Sequence, residues 1–135
     1  MNTGHDGSLT TVHANSPKDT ISRLETLVLM AGMDLPLSAV RNQICSAINL
    51  IVQTARLSDG SRKVTSISEI TGIRDGEPEL NEIYTFKQEG IDRKTGKVIG
   101  RHLLVNPPTF LEEFSSKGIE LPPGMFAMGR KEKDI

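Results

Sequence analysis

His5, Asp6 and His13 stand within nine residues of one another near the start of the chain. Imidazole changes charge near neutral pH and both donates and accepts hydrogen bonds, so it suits proton transfer or phosphate recognition. The two histidines are eight residues apart. At a rise of about 3.3 Å per residue an extended segment holds them roughly 26 Å apart, so one ligand touches both only if the intervening turn folds back. A metal site built from His5, Asp6 and His13 lacks close ligand spacing and a nearby cysteine, and no metal is expected. A third candidate, Arg56, closes the mostly apolar run Ala47–Arg56. A guanidinium there can meet a phosphate, although a solvated or structural role is the simpler reading.

These side chains need elements to aim them. Gly4, Asp6 and Gly7 make a tight turn that feeds Leu9–Val12, a short β-favouring run ending on His13. In open parallel sheets ligands collect outside the carboxyl ends of the strands, which is the place of His13 and not of His5. Ala47–Arg56 reads as a second strand, buried on both faces, and if the two are parallel Arg56 lies on the same edge as His13. Taken alone, a histidine at a strand end is ordinarily a hydrogen-bonded residue with no catalytic task.

The block TGHDGSLTTVHANSP, with the preceding Met1-Asn2, resembles the histidine box of the type II/type IV secretion ATPases, hexameric motors of pilus assembly and secretion. Ala55–Val64 and Ile67–Gly72 resemble the branch serving Flp-type, tight-adherence pili. The similarity runs from residue 1 to about residue 90 and is most specific in the first fifteen positions. It implies an α/β fold, the C-terminal part of a RecA-like P-loop ATPase domain, with parallel strands and an antiparallel hairpin extension. It also implies catalytic roles for His13, reading the terminal phosphate, and for His5, fixing the geometry of the box, with Arg56 as a cofactor-binding candidate. For the intact protein it implies ATP, Mg²⁺, a homo-hexamer, and inner-membrane secretion or pilus platform proteins as partners.

The sequence has no G-x-x-x-x-G-K-[ST] phosphate loop and no acidic strand end to hold Mg²⁺ before the histidine box. Members of the resembled family carry both upstream. The expectation is a C-terminal fragment of such an ATPase, with residues 1–105 a partial RecA-like domain and 106–135 a helix and tail. Alone it is expected neither to hydrolyse ATP nor to bind it tightly. A non-catalytic module that joins the ring of a full-length ATPase is the alternative.

Composition narrows the class. Sixteen basic and seventeen acidic residues leave a net charge of -1, which argues against an extended nucleic-acid or anionic-membrane footprint. The single Cys45 cannot form an internal disulfide and reads as a small buried residue in a reducing compartment. No stretch is apolar enough to span a bilayer and none resembles a signal peptide, so a cytoplasmic place, peripheral to the inner membrane through partners, is expected.

The remaining elements follow from local signals. Ser16-Pro17-Lys18-Asp19 starts a helix whose apolar face is Ile21, Leu24, Leu27, Val28 and Ala31, with Arg23 and Glu25 pointing elsewhere. A second helix from Pro36–Ser38 carries Val40, Ile44, Cys45 and Ile48 inward and Arg41 and Asn42 outward. Met30 and Met33 are expected to fill core. Ser58–Ser61, Asp75-Gly76 and Lys94–Lys97 are turns between β-rich runs. Thr109 is expected to cap a short helix with Phe110, Leu111 and Phe114 on its apolar face, stopped by Gly118, and the charged tail Gly129–Ile135 is expected to be solvated. His102 is assigned no function.

Overall fold

The structure, a computed structural model of the chain, describes residues 7–126. It is a mixed α/β arrangement: helices α1 (Pro17–Met30) and α2 (Leu37–Ala47), strands β1 (Leu50–Arg56), β2 (Arg62–Arg74), β3 (Glu77–Ile91) and β4 (Val98–Leu104), then helix α3 (Leu111–Ser116). The strands form one sheet in the order β1-β2-β3-β4. Short turns join sequence neighbours throughout, so the sheet is an antiparallel meander. His5 and the tail Gly129–Ile135 lie outside the described residues.

One compact unit is made of residues up to Gln53 together with Ser68–Leu80. Its core is Ile21, Val40, Ile44, Cys45 and Ile51, against which Leu24, Val28, Leu35, Ile48, Ile70, Ile73 and Leu80 pack. Ile21 and Val40 are each 1% exposed and tie α1 to α2. The start of α1 is set by chemistry within four residues: Ser16 Oγ accepts the Asp19 N–H at 3.1 Å, and Pro17 occupies the first turn, where its missing N–H costs nothing. The turn between β2 and β3 has Asp75 at φ 52° and Gly76 at φ 78°. Two left-handed residues in succession match the right-handed twist of the flanking strands, which is why Asp-Gly serves here.

Several expectations for this unit are corrected. Residues 7–14 contain no strand, so the expected strand Leu9–Val12 and its parallel pairing with β1 do not form among the described residues. A strand exists only with a neighbour to bond, and the residues described supply none there. β1 is not buried on both faces: Ile51 alone is buried, while Leu50 and Val52 are exposed. Met30 and Met33 do not fill core either, Met30 being 78% exposed. Leu27 is exposed at the same end of α1.

Glu25 and Arg41 depart furthest from expectation. Glu25 is only 5% exposed and faces α2. Its two carboxylate oxygens take a fork from Arg41, Nε at 2.6 Å and Nη2 at 3.1 Å. Arg41 Nη1 also donates to the Gly76 carbonyl at 2.7 Å and lies 3.6 Å from Glu77. One guanidinium therefore joins α1, α2 and the β2–β3 turn. The hydrogen bond to Glu25 raises the Arg41 pKa above its ordinary value, against the desolvation that lowers it. Burial pushes the Cys45 thiol up as well, which keeps it protonated and inert, as a small core residue should be.

The second unit holds Thr54–Ile67 and the chain from Asn81 onward. β3 and β4 pair antiparallel from Tyr84↔Leu104 to Ile91↔Val98, with a bulge between Gln88 and Gly90. Two polar contacts skip β3: His102 Nε2 sits 2.7 Å from the Val64 carbonyl, and the Val98 N–H donates to Asp59 Oδ2 at 2.7 Å. They curl the sheet at this end, bringing the β1–β2 turn to the start of β4. His102 thus has a structural partner.

Gly100 lies opposite Gln88 in the β3–β4 ladder, where a Cβ would press on the Phe86 ring and lie 2.5 Å from the Lys87 carbonyl oxygen. Backbone cannot yield as a flexible side chain can, so Gly100→Ala is expected to cost about 1–3 kcal/mol by overpacking. Urea denaturation followed by circular dichroism measures it.

Past β4, α3 is not capped by Thr109: Phe110 precedes the helix and no side chain caps it. The expected apolar pair does form, with Phe110 and Phe114 rings edge-to-face at 5.5 Å. Gly118, at φ 72°, ends the helix while Ile119 N–H donates to the Phe114 carbonyl at 2.8 Å and Gly118 N–H to that of Ser115 at 3.1 Å. This is the paired bonding of a Schellman stop.

Candidate functional site

His13 stands three residues before Ser16, the residue that caps α1. It is exposed, and the segment around it has no regular structure. Its neighbour Ala14 is held from β1, whose Gln53 Nε2 donates to the Ala14 carbonyl at 2.9 Å. Gln53 lies two residues from the buried Ile51, on the same side of the strand, so the core position of Ile51 orients the amide. His13 is therefore anchored from its C-terminal side, by the tether on Ala14 and then by the start of α1. An exposed imidazole so placed can offer an N–H to an anion.

Arg56 ends β1, as its position in the run implied, and is exposed. It belongs to the second unit and His13 to the first. The parallel pairing that would have put both on one edge is not formed among the described residues, and His5 lies outside them. No group of three or more His, Cys, Asp or Glu able to hold a metal occurs among the described residues.

Gln53 and the Glu25–Arg41 pair are the positioning groups that a reading by composition overlooks. The signal was present for two of them. Position 25 falls four residues after Ile21 and three before Val28, so helical spacing puts it on the inner face. Position 41 falls four before Cys45. For Gln53 the signal was only the two-residue alternation from Ile51.

Electrostatics in the second unit centre on Asp59. Its carboxylate accepts from Ser61 Oγ at 2.6 Å, the Ser61 N–H at 2.9 Å and the Val98 N–H at 2.7 Å. These bonds, the Ser61 hydroxyl foremost, hold its pKa down to about 2 from 3.8. A carboxyl lowered on folding contributes stability above its unfolded pKa, and that contribution is lost as pH falls from about 4 toward about 2. The melting temperature is expected to drop across that window, and Asp59→Asn to flatten the drop. Thermal melts between pH 6 and pH 2 check it.

No helix among the described residues is long and apolar enough to cross a membrane. Comparison with known proteins places the chain. The family model described as "Type II/IV secretion system protein" matches residues 1–107. A Mycobacterium tuberculosis protein assigned by name to conjugal transfer is 32% identical over 83 residues, 62% of this chain and 22% of that protein. The conjugal transfer protein TrbB of Rhizobium radiobacter is 37% identical over 73 residues, 54% of this chain and 21% of the relative. The type IV secretion system protein VirB11 of Bartonella quintana is 39% identical over 69 residues, 50% of this chain and 19% of the relative. The chain thus spans about a fifth of the length of the curated relatives it matches. With a family match across most of its length, the chain belongs to the type II/IV secretion system protein family.

Proposed function

We propose that this chain is the C-terminal portion of a motor ATPase of the Flp, tight-adherence pilus branch, coupling ATP hydrolysis to protein secretion or pilus assembly and not catalytic alone. The observation that carries the reading is the family match over residues 1–107 in a chain that has no phosphate loop. In this reading residues 1–105 complete a RecA-like domain. The upstream part brings the phosphate loop, the acidic Mg²⁺ ligand and a strand beside which Leu9–Val12 pairs. Residues 106–135 form the appended helix and tail.

His13 donates a hydrogen bond to the terminal phosphate of bound ATP and loses it after hydrolysis, so the ring signals the nucleotide state to α1 through Ser16. His5 fixes the geometry of the box. The working assembly is a homo-hexamer in the cytoplasm, bound to inner-membrane platform proteins. The second reading, a non-catalytic module that joins the ring of a full-length ATPase, is favoured by the missing phosphate loop.

The DNA immediately upstream of the Met1 codon separates the two. The motor reading predicts an in-frame G-x-x-x-x-G-K-[ST] sequence there. A stop codon followed by a dedicated ribosome site would favour the separate module.

A further inference from the structure

Net charge conceals how the cations are arranged. Residues 56–63 and 89–101 carry seven of them, Arg56, Arg62, Lys63, Arg93, Lys94, Lys97 and Arg101, against the three carboxylates Asp59, Glu89 and Asp92. The surplus of four stands in a chain whose total is -1, so charge is segregated and not balanced. Two hairpin turns bring the cations together. Arg56 and Arg62 flank the β1–β2 turn, which is closed by the Leu57 N–H on the Ser61 carbonyl at 2.8 Å. The 2.7 Å bond from Val98 to Asp59 joins that turn to the β3–β4 turn, which carries Arg93, Lys94 and Lys97.

The carboxylates in this cluster are already used. Glu89 pairs with Arg101 at 2.7 Å, Asp59 accepts from Ser61 and Val98, and Asp92 accepts the Lys94 and Thr95 N–H groups. Those last bonds hold the Asp92 pKa low and fix the turn that raises the basic side chains. Arg56, Arg62, Arg93, Lys94 and Lys97 are all exposed. Two exposed isoleucines, Ile91 (52%) and Ile99 (49%), border the same turn. Cations beside exposed aliphatic side chains suit a surface with anionic headgroups over a hydrocarbon layer. Nucleic acid fits less well, because the two turns carry no aromatic ring on which a base could stack.

We propose that the paired β1–β2 and β3–β4 turns form a docking surface for an anionic lipid bilayer, with Arg93, Lys94 and Lys97 as its principal contacts. This does not depend on the ATPase reading. It gives the chain a direct hold on a membrane without a spanning helix among the described residues.

Sedimentation of the 135-residue chain with vesicles tests it. Vesicles of phosphatidylcholine with about one third phosphatidylserine are expected to pull the chain down at low salt, and pure phosphatidylcholine is not. Each cation removed should weaken partition about fivefold, so Arg93→Gln, Lys94→Gln and Lys97→Gln together should weaken it about 100-fold. The distal set Lys18→Gln, Arg23→Gln and Lys117→Gln changes net charge equally and should weaken it less than fivefold. Binding of the unmutated chain should also fall as salt rises from 0.05 to 0.5 M, a readout that needs no variant. Equal binding to neutral and anionic vesicles would overturn the proposal. So would equal losses from the two variant sets, or tighter binding to duplex DNA than to the anionic vesicles at the same salt.

Discussion

Glu25→Ala is expected to destabilise the fold by about 3 kcal/mol, a large share of the 5–15 kcal/mol that holds a typical domain together. The cost does not come from the ion pair being strong. A carboxylate and a guanidinium taken from water lose hydration that their attraction barely repays, and removing one partner leaves the other without compensation. Arg41 would then keep only the Gly76 carbonyl and the exposed Glu77. Its side chain retains 20% exposure, which sets the figure at the low end for buried pairs. The same logic predicts a recovery: Glu25→Leu with Arg41→Met should restore most of the loss, because apolar groups of similar volume need no partner. Urea denaturation of the two single variants and the double checks it. A single-variant cost below about 1 kcal/mol, or a double variant no better than the singles, would show that the fork does not bind α1, α2 and the β2–β3 turn together.

His13→Ala, made in a continuous polypeptide that also contains a phosphate loop, is expected to lower ATP turnover about 100-fold while weakening nucleotide binding less than tenfold. Losing one preorganised donor to developing phosphate charge typically costs 10²–10³ in rate. Binding suffers less, because most ground-state contacts with the nucleotide come from phosphate-loop amides and a lysine that this chain lacks. His13→Gln keeps a side-chain N–H donor and should retain intermediate turnover. Equilibrium binding and single-turnover hydrolysis separate the two quantities. If binding fell with the rate and turnover per bound nucleotide held, His13 would anchor the ligand and not sense its phosphate.

What could be read in advance was local chemistry. Ser16, Pro17 and Asp19 specify a helix start within four residues, and Asp75-Gly76 specifies a hairpin through two left-handed dihedrals. Phe110 with Phe114 is an i, i+4 pair and formed as such. Elements that depend on distant partners were misjudged. Leu9–Val12 has strand composition but no neighbour to bond among the described residues, and the apolar composition of β1 implies cover on both faces that only Ile51 finds. Glu25 and Arg41 are expected to point away from the core, whereas their spacing puts them inward. Periodicity was the better guide: a carboxylate can occupy a core position when a guanidinium sixteen residues later reaches it. The candidate site divides in the same way. Its helix start and the position of Arg56 at a strand end were legible, whereas the Gln53 tether on Ala14, thirty-nine residues away, was not.

The central claim is that this polypeptide holds the histidine-bearing part of a nucleotide motor and lacks the part that grips phosphate. Steady-state ATP hydrolysis by the purified 135-residue chain at millimolar ATP and Mg²⁺ tests it most directly. The account predicts no turnover above background. Sustained hydrolysis that copurifies with the chain and requires no other protein would contradict it.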